Sequence, residues 1–160
     1  MNLRLKQATY RHIESEIYSY AITVQTIERL RSDIIHRSSN NDSAGLGISK
    51  RSSDITSVTE SKAVRLATGR RITEMERITN AIRDTYLRIK NDEFKRIIWV
   101  KYNLAIDWKP PVELKALIGD TDRFSLPVDT MLKLLNIDRT TFFEYRNGFV
   151  YSIAQQLGWY

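Results

Sequence analysis

Apolar side chains recur every three or four residues over much of this chain, which is the spacing of one face of an α-helix. Over residues 8–37 they follow a heptad pattern formed by Tyr10, Ile13, Ile17, Tyr20, Val24, Ile27 and Ile34. The pattern predicts one long helix. Such a seam packs either on a neighbouring helix of the same chain or on a second chain, and the spacing leaves both interpretations open.

A second long helix is predicted over residues 55–91, again with apolar side chains on one face. Its N-terminal part carries Ser57 and Glu60 in the sequence SVTE, a capping-box pattern. Residues 38–54 are rich in Ser, Asn and Gly and have no period, so we predict a flexible loop there. Together these segments make residues 1–91 a helical scaffold or oligomerisation region.

Shorter helices are predicted in residues 92–160, the first of them over Glu93–Ile106. A short helix is predicted in PVELKALI, and another begins in SLPVDTMLKLL. Asn136 suits the left-handed residue that ends this helix, and Asp138 suits the N-cap of the last one. Two helices joined by so short a turn predict a helix-turn-helix in an all-α protein. The alternative is a helical hairpin within a small bundle.

The last helix has an apolar stripe made of Phe142, Tyr145, Phe149, Ile153 and Leu157, and its first half also has a polar outer side. In helix-turn-helix proteins the front of the second helix contacts base edges in the major groove. We therefore expect the outer side to face away from the protein. The outer side comprises Arg139, Thr140, Phe143, Glu144, Arg146 and Asn147. The residues predicted to contact duplex DNA are Arg139, Thr140, Thr141, Phe143, Arg146 and Asn147.

Charge favours a polyanionic partner, since the net charge is +6 and the pI is about 9.6. The excess positive charge lies in residues 50–91, which contain ten basic residues (Lys and Arg) and five acidic ones (Asp and Glu). Residues 137–160 contain two basic and two acidic residues. A basic helix face can contact the phosphate backbone. We assign that role to Arg65, Arg70, Arg71 and Arg77, with a solvated face as the alternative.

Several classes of protein are disfavoured by composition. The chain has no Cys, which removes disulfides, thiolate nucleophiles and cysteine metal sites. Its two histidines are far apart, and it shows neither a Ser-His-Asp set nor a glycine-rich phosphate loop. We therefore expect no enzyme, cofactor or metal. No apolar run approaches the length of a membrane span, and no signal-peptide pattern opens the chain, so we expect a cytoplasmic protein.

Three segments in order resemble phage late-transcription activators of the RinA/ArpU type. They are ESEIYSYAITVQTIERLRSDII, TESKAVRLATGRRITEMERITNAIRDTY and LLNIDRTTFFEYRNGFVYSIAQQLG, and the resemblance spans residues 8–158. The last segment is similar to region 4 of sigma factors, where Arg139, Thr141 and Arg146 match and Asp138 replaces the capping Ser. Glu144 and Tyr145 depart from that pattern, and the stretch Lys109–Ser125 is longer than it.

The resemblance implies a sequence-specific duplex-DNA binder that activates late operons, such as packaging and structural genes, in the cytoplasm of a bacterial host. Contact with host RNA polymerase is a further expectation, as is a homodimer through residues 10–34 that pairs two half-sites. Two other functions remain open at this point. One is a small terminase subunit that recognises phage DNA, and the other is a helical adaptor without DNA binding.

Overall fold

The computed structural model describes residues 5–42 and 53–160. This part of the chain contains seven α-helices and no strand, which confirms the predicted all-α class. The helices are α1 Gln7–Tyr18, α2 Tyr20–Asp42, α3 Ser53–Leu87, α4 Asp92–Tyr102, α5 Val112–Ile118, α6 Val128–Leu135 and α7 Arg139–Leu157. Within the described ranges, every helix is too short or too polar to traverse a bilayer.

The chain divides into two compact units. The large unit comprises Met1–Tyr20 and Ile78–Tyr160, and the small unit comprises Ala21–Arg77. This division differs from the predicted boundary at residue 91. The reason is that α1 and the end of α3 share one hydrophobic core with α4 and α7.

The main core of the large unit is built from four helices. Ile13 and Ile17 of α1 meet Tyr86 at the end of α3, Ile98 of α4 and Phe149 of α7, and all five are essentially inaccessible to solvent. Burying side chains of this size contributes about 1.5–3 kcal/mol each. This core holds α1 directly against α7.

The single helix predicted over residues 8–37 is wrong, because Ser19 separates α1 from α2. The heptad pattern is divided between the two units. Ile13 and Ile17 are buried in the large unit, whereas Ile27 is buried in the small unit. A pattern of apolar positions identifies a buried face but not which partner covers it.

The ends of the next two helices also differ from prediction. The SVTE pattern lies inside α3, which begins at Ser53, and α3 ends at Leu87 because the chain then turns towards the N-cap Asn91. The Asn91 side chain accepts a hydrogen bond of 2.8 Å from the Glu93 amide. Helix α4 ends at Asn103, whose φ of 56° is left-handed, and therefore stops short of the predicted end at Ile106.

A second core in the large unit lies on the other side of α4. It consists of Ile97, Trp99, Val100, Leu114, Ile118, Met131 and Phe142. These residues join α4 to α5, α6 and the front of α7, and they confirm that the PVELKALI and SLPVDTMLKLL segments form short helices. Helix α6 begins after Pro127, which serves as its N-cap. The front of α7 therefore has its own packed support.

The small unit consists of most of α2 and the first part of α3. Its buried apolar side chains in the described part are Ile27 and Ile72, and Arg31 pairs with Glu76. The predicted loop 38–54 is too wide, because α2 continues to Asp42 and α3 begins at Ser53. The remainder of that loop lies outside the described residues.

Candidate nucleic-acid interface

The turn between α6 and α7 has the local geometry that the sequence predicts. Asn136 ends α6 with φ 52° and ψ 47°, the left-handed conformation that asparagine tolerates better than most residues. The Ile137 amide donates to the Leu132 carbonyl oxygen at 3.3 Å. Asp138 then caps α7. These contacts fix the direction in which α7 leaves the turn.

The cap itself uses one of the predicted DNA-contacting residues. Asp138 accepts hydrogen bonds from the Thr141 amide at 2.9 Å and from the Thr141 hydroxyl at 2.6 Å. Both hydrogen bonds lower the pKa of Asp138, and the bond from the hydroxyl has the larger effect. The Thr141 hydroxyl is therefore engaged within the protein, and its part in the site is to stabilise the front of α7.

Three residues of the predicted outer side are exposed at the front of α7: Arg139, Thr140 and Glu144. The Arg139 side chain is 65% exposed, and it lies 3.5 Å from a carboxylate oxygen of Asp129 that is itself 80% exposed. An ion pair so open to solvent contributes little. Arg139 can therefore exchange this partner for a base edge or a phosphate at small cost.

Arg146 does not lie on the exposed outer side where the sequence places it, and its contact with DNA stays a prediction. Its Nε donates to Glu14 Oε1 at 2.9 Å, its Nη2 forms an ion pair with the same oxygen at 2.8 Å, and its side chain is only 18% exposed. The physical reason is the packing of α1 on α7, which covers this part of the helix. Arg146 links α7 to α1.

Asn147 is engaged in the same interface. Its Oδ1 accepts a hydrogen bond of 2.7 Å from the Tyr10 hydroxyl, and the Tyr10 ring lies 5.4 Å from the Arg146 guanidinium. Glu14 Oε1 also accepts from the Tyr102 hydroxyl at 2.6 Å. Burial, with Glu14 adding to it, raises the pKa of Tyr102 well above its usual value. We call Tyr10, Glu14, Tyr102, Arg146 and Asn147 the brace.

Sequence reasoning missed Tyr10, Glu14 and Tyr102 as parts of this arrangement. The one available signal is that Glu14 follows Ile13 directly and lies one helical turn after Tyr10, at the edge of a buried face. A carboxylate in such a place needs a cationic or hydrogen-bonding partner. The sequence does not say which of 25 Lys and Arg residues supplies it.

Phe143 is half-buried and packs against the second core. The guanidinium groups of Arg139 and Arg146 each lie 5.5 Å from its ring. A cation over an aromatic ring gains roughly 0.5–1 kcal/mol at an exposed site. The Phe143 ring therefore orients Arg139, and its predicted contact with DNA stays a prediction.

The four arginines predicted to contact phosphate all belong to α3 in the small unit. Arg70 and Arg71 are exposed, whereas Arg77 donates to Glu74 at 3.2 Å and Arg65 is half-buried. The α7 residues belong to the large unit. One common interface for both sets stays a prediction.

The exposed front of α7 combines chemistry suited to base edges. An arginine can donate to the two acceptors of guanine, and a glutamate can accept from the amino group of cytosine. The described residues contain no cluster of His, Asp and Glu that could hold a metal ion. No protein-family model matches this chain, and neither a curated protein nor a solved structure matches it significantly.

Proposed function

We propose that the protein is a sequence-specific duplex-DNA-binding activator of phage late genes, such as a packaging and structural operon. One observation carries the proposal. The turn at Asn136 and the Asp138 cap fix the front of α7, while Arg139, Thr140 and Glu144 remain exposed there. Buried anchoring combined with an exposed polar front is what a recognition helix needs.

In this proposal α6 and α7 act as a helix-turn-helix, and the second core of the large unit holds them together. Arg139 and Glu144 lie on the front half of α7 and would select bases in the major groove. The helix N-terminus adds partial positive charge there, which favours an adjacent phosphate. The brace keeps α7 in place and engages Arg146 and Asn147, so we do not place these two residues among those that contact bases.

The small unit would supply the electrostatic part and the pairing of two copies. Arg70 and Arg71 are exposed and suited to phosphate contact. Because Ile13 and Ile17 are buried within the large unit, we place the pairing surface on the α2 part of the predicted seam. In that part, Val24 and Ile34 remain partly exposed. Contact with host RNA polymerase belongs to the proposal through the family resemblance alone.

The test is selection of binding sites from a random duplex library, followed by affinity measurements on the enriched sequence. Arg139→Ala should weaken binding to that sequence by about 1–3 kcal/mol, roughly 5- to 150-fold, and should relax preference at one base position.

Arg88→Ala is the matched control. Arg88 lies 3.2 Å from the side-chain amide of Gln156 and is exposed. Gln156 is about 25 Å from Arg139 along the axis of α7. Equal losses of affinity in the two variants would mean that Arg139 acts only through its positive charge. An unchanged affinity in Arg139→Ala would contradict the proposal that α7 contacts the bases.

A further inference from the structure

A cleft of about 480 Å³ in the large unit takes no part in the proposed recognition of DNA bases. Its polar and aromatic lining residues are Trp99, Asn103, Lys115, Asp120, Thr121 and Arg123. Most of them belong to the stretch Lys109–Ser125, which is longer than the resembling family pattern. This stretch builds a site of its own.

Arg123 is the central feature of the cleft because it is a buried cation without a carboxylate partner in the described part of the chain. The residue is only 6% exposed, and its Nε is buried without a hydrogen-bond partner among the described residues. Its Nη1 donates to the Thr121 carbonyl oxygen at 2.9 Å, and the guanidinium lies 4.8 Å from the Trp99 ring. A buried charge is costly unless an opposite charge compensates it.

The turn after α5 holds Arg123 in this position. Gly119 ends α5 with φ 56°, and the Thr121 hydroxyl donates to the Ile118 carbonyl oxygen at 2.6 Å. Asp122 then accepts from the Phe124 amide at 3.1 Å, which closes the turn on the other side of Arg123. The cation is thus positioned before any ligand arrives, so little ordering is needed on binding.

We propose that this cleft binds a phosphate-type oxyanion between Arg123 and Lys115, with the side-chain amide of Asn103 as a neutral donor. Arginine and lysine are both common partners of phosphate. Asp120 is the one acid among the described residues that line the cleft, and none of the ion pairs in the described part of the chain joins it to either cation there. Its charge opposes the ligand, which offers a second way to test the site.

The experiment is a calorimetric titration of the full chain with inorganic phosphate at constant ionic strength set by chloride. We expect saturable binding that Lys115→Gln weakens and Asp120→Asn tightens, each by about two- to fivefold, the effect of one exposed charge. Lys133→Gln is the control, since Lys133 is an exposed lysine of α6 outside the cleft.

Arg123→Met should abolish the binding, but this variant also removes a buried side chain, so the two exposed variants decide the outcome. Absence of saturable binding in the wild type overturns the proposal. The same holds if Lys115→Gln and Asp120→Asn both bind phosphate as the wild type does. A general salting effect of phosphate would not saturate and would be equal in all variants.

The source of the oxyanion is decided by competition. If a selected duplex displaces phosphate, the cleft binds a backbone phosphate, an outcome that rests on the proposed function. If phosphate stays bound beside DNA, the ligand is a free or small-molecule phosphate. Should the protein bind no DNA at all, the titration with inorganic phosphate still tests the cleft alone.

Discussion

Glu14 and Arg146 provide the sharpest test of the packing between α1 and α7. A single oxygen of Glu14 accepts one hydrogen bond from Arg146 Nε and one from Tyr102, Arg146 Nη2 lies 2.8 Å from it, and the two charged side chains are only 15% and 18% exposed. Hydrogen bonds to charged groups contribute roughly 1.5–3 kcal/mol, and breaking a buried ion pair from one side costs about 3–5 kcal/mol. We expect Glu14→Gln or Arg146→Met to lower the free energy of unfolding by about 2–4 kcal/mol.

The assay is urea unfolding followed by far-ultraviolet circular dichroism, with both single variants and the double variant. Because each substitution breaks the same ion pair, the double variant should lose less than the sum, by at least about 1 kcal/mol. Glu144→Gln is the control, since Glu144 is an exposed acid of the same helix and its substitution should change stability by less than about 0.5 kcal/mol. Additive losses, or losses no larger than the control, refute the brace.

The same two variants distinguish a brace from a base contact. If Arg146 only holds α7 in place, both variants should bind a selected duplex alike under conditions where both are folded. If Arg146 instead reads a base, Arg146→Met should lose affinity while Glu14→Gln, which releases the arginine, keeps or gains it. The second result would restore the sequence-based assignment of Arg146.

The remaining predictions concern buried hydroxyls, the α7 cap and the basic helix. Burial raises the pKa of Tyr18 from 10.0 to about 12, because the folded state disfavours the phenolate, so the free energy of unfolding is unaffected by this group below pH 10 and falls as pH rises through that range. The Tyr18 hydroxyl has no hydrogen-bond partner in the described part of the chain. Tyr18→Phe should therefore be neutral at pH 7 and should lessen the alkaline loss in urea titrations, whereas Tyr102→Phe should cost roughly 1.5–3 kcal/mol at pH 7; equal costs would contradict the reasoning. Because the pKa of Asp138 is lowered, its contribution to stability is present above its ordinary pKa of 3.8 and is lost as pH falls further. Asp138→Ala should therefore lower the melting temperature more at pH 7 than at pH 3. Asp138→Asn keeps the cap and should not show this loss. Neutralising Arg70 and Arg71 should reduce the salt slope of DNA affinity by about one unit each or slightly less, and an unchanged slope would make that face merely solvated.

Local signals predicted the α6–α7 segment well. Asn136 and Asp138 act on their own neighbouring backbone, so their roles depend on a few adjacent residues. The apolar stripe of α7 was also correct, because Phe142 and Phe149 are buried as its period requires. Signals of this kind need no knowledge of the rest of the chain.

The brace could not be predicted from the sequence, because its contacts join residues that are far apart in the chain. Glu14 and Arg146 lie 132 residues apart in sequence, and neither has a local feature that identifies the other. A single helix can also bury two sides, as α4 does with Ile97 in one core and Ile98 in the other. The outer side of α7 was predicted by assuming that residues outside the apolar stripe are exposed. Helix α1 covers part of that side.

The break at Ser19 shows the same limit in a helix. The apolar spacing continues from Ile17 to Tyr20 without Gly or Pro, so periodicity predicts an uninterrupted helix. Ser19 still donates its amide to the Ser15 carbonyl oxygen at 3.0 Å, in a nearly helical conformation. Long-range packing decides in which unit each part of the pattern is buried.

The central claim is that the front of α7 reads a specific duplex sequence. Its most direct test is to capture sheared DNA of the source genome, using the purified protein at about 150 mM salt, where general phosphate binding is weak, and to sequence what is retained. We expect one sharp peak upstream of a late operon, lost in Arg139→Ala and kept in Arg88→Ala. A peak within a packaging gene would favour a terminase subunit. Uniform recovery or no recovery at all would contradict specific recognition by α7.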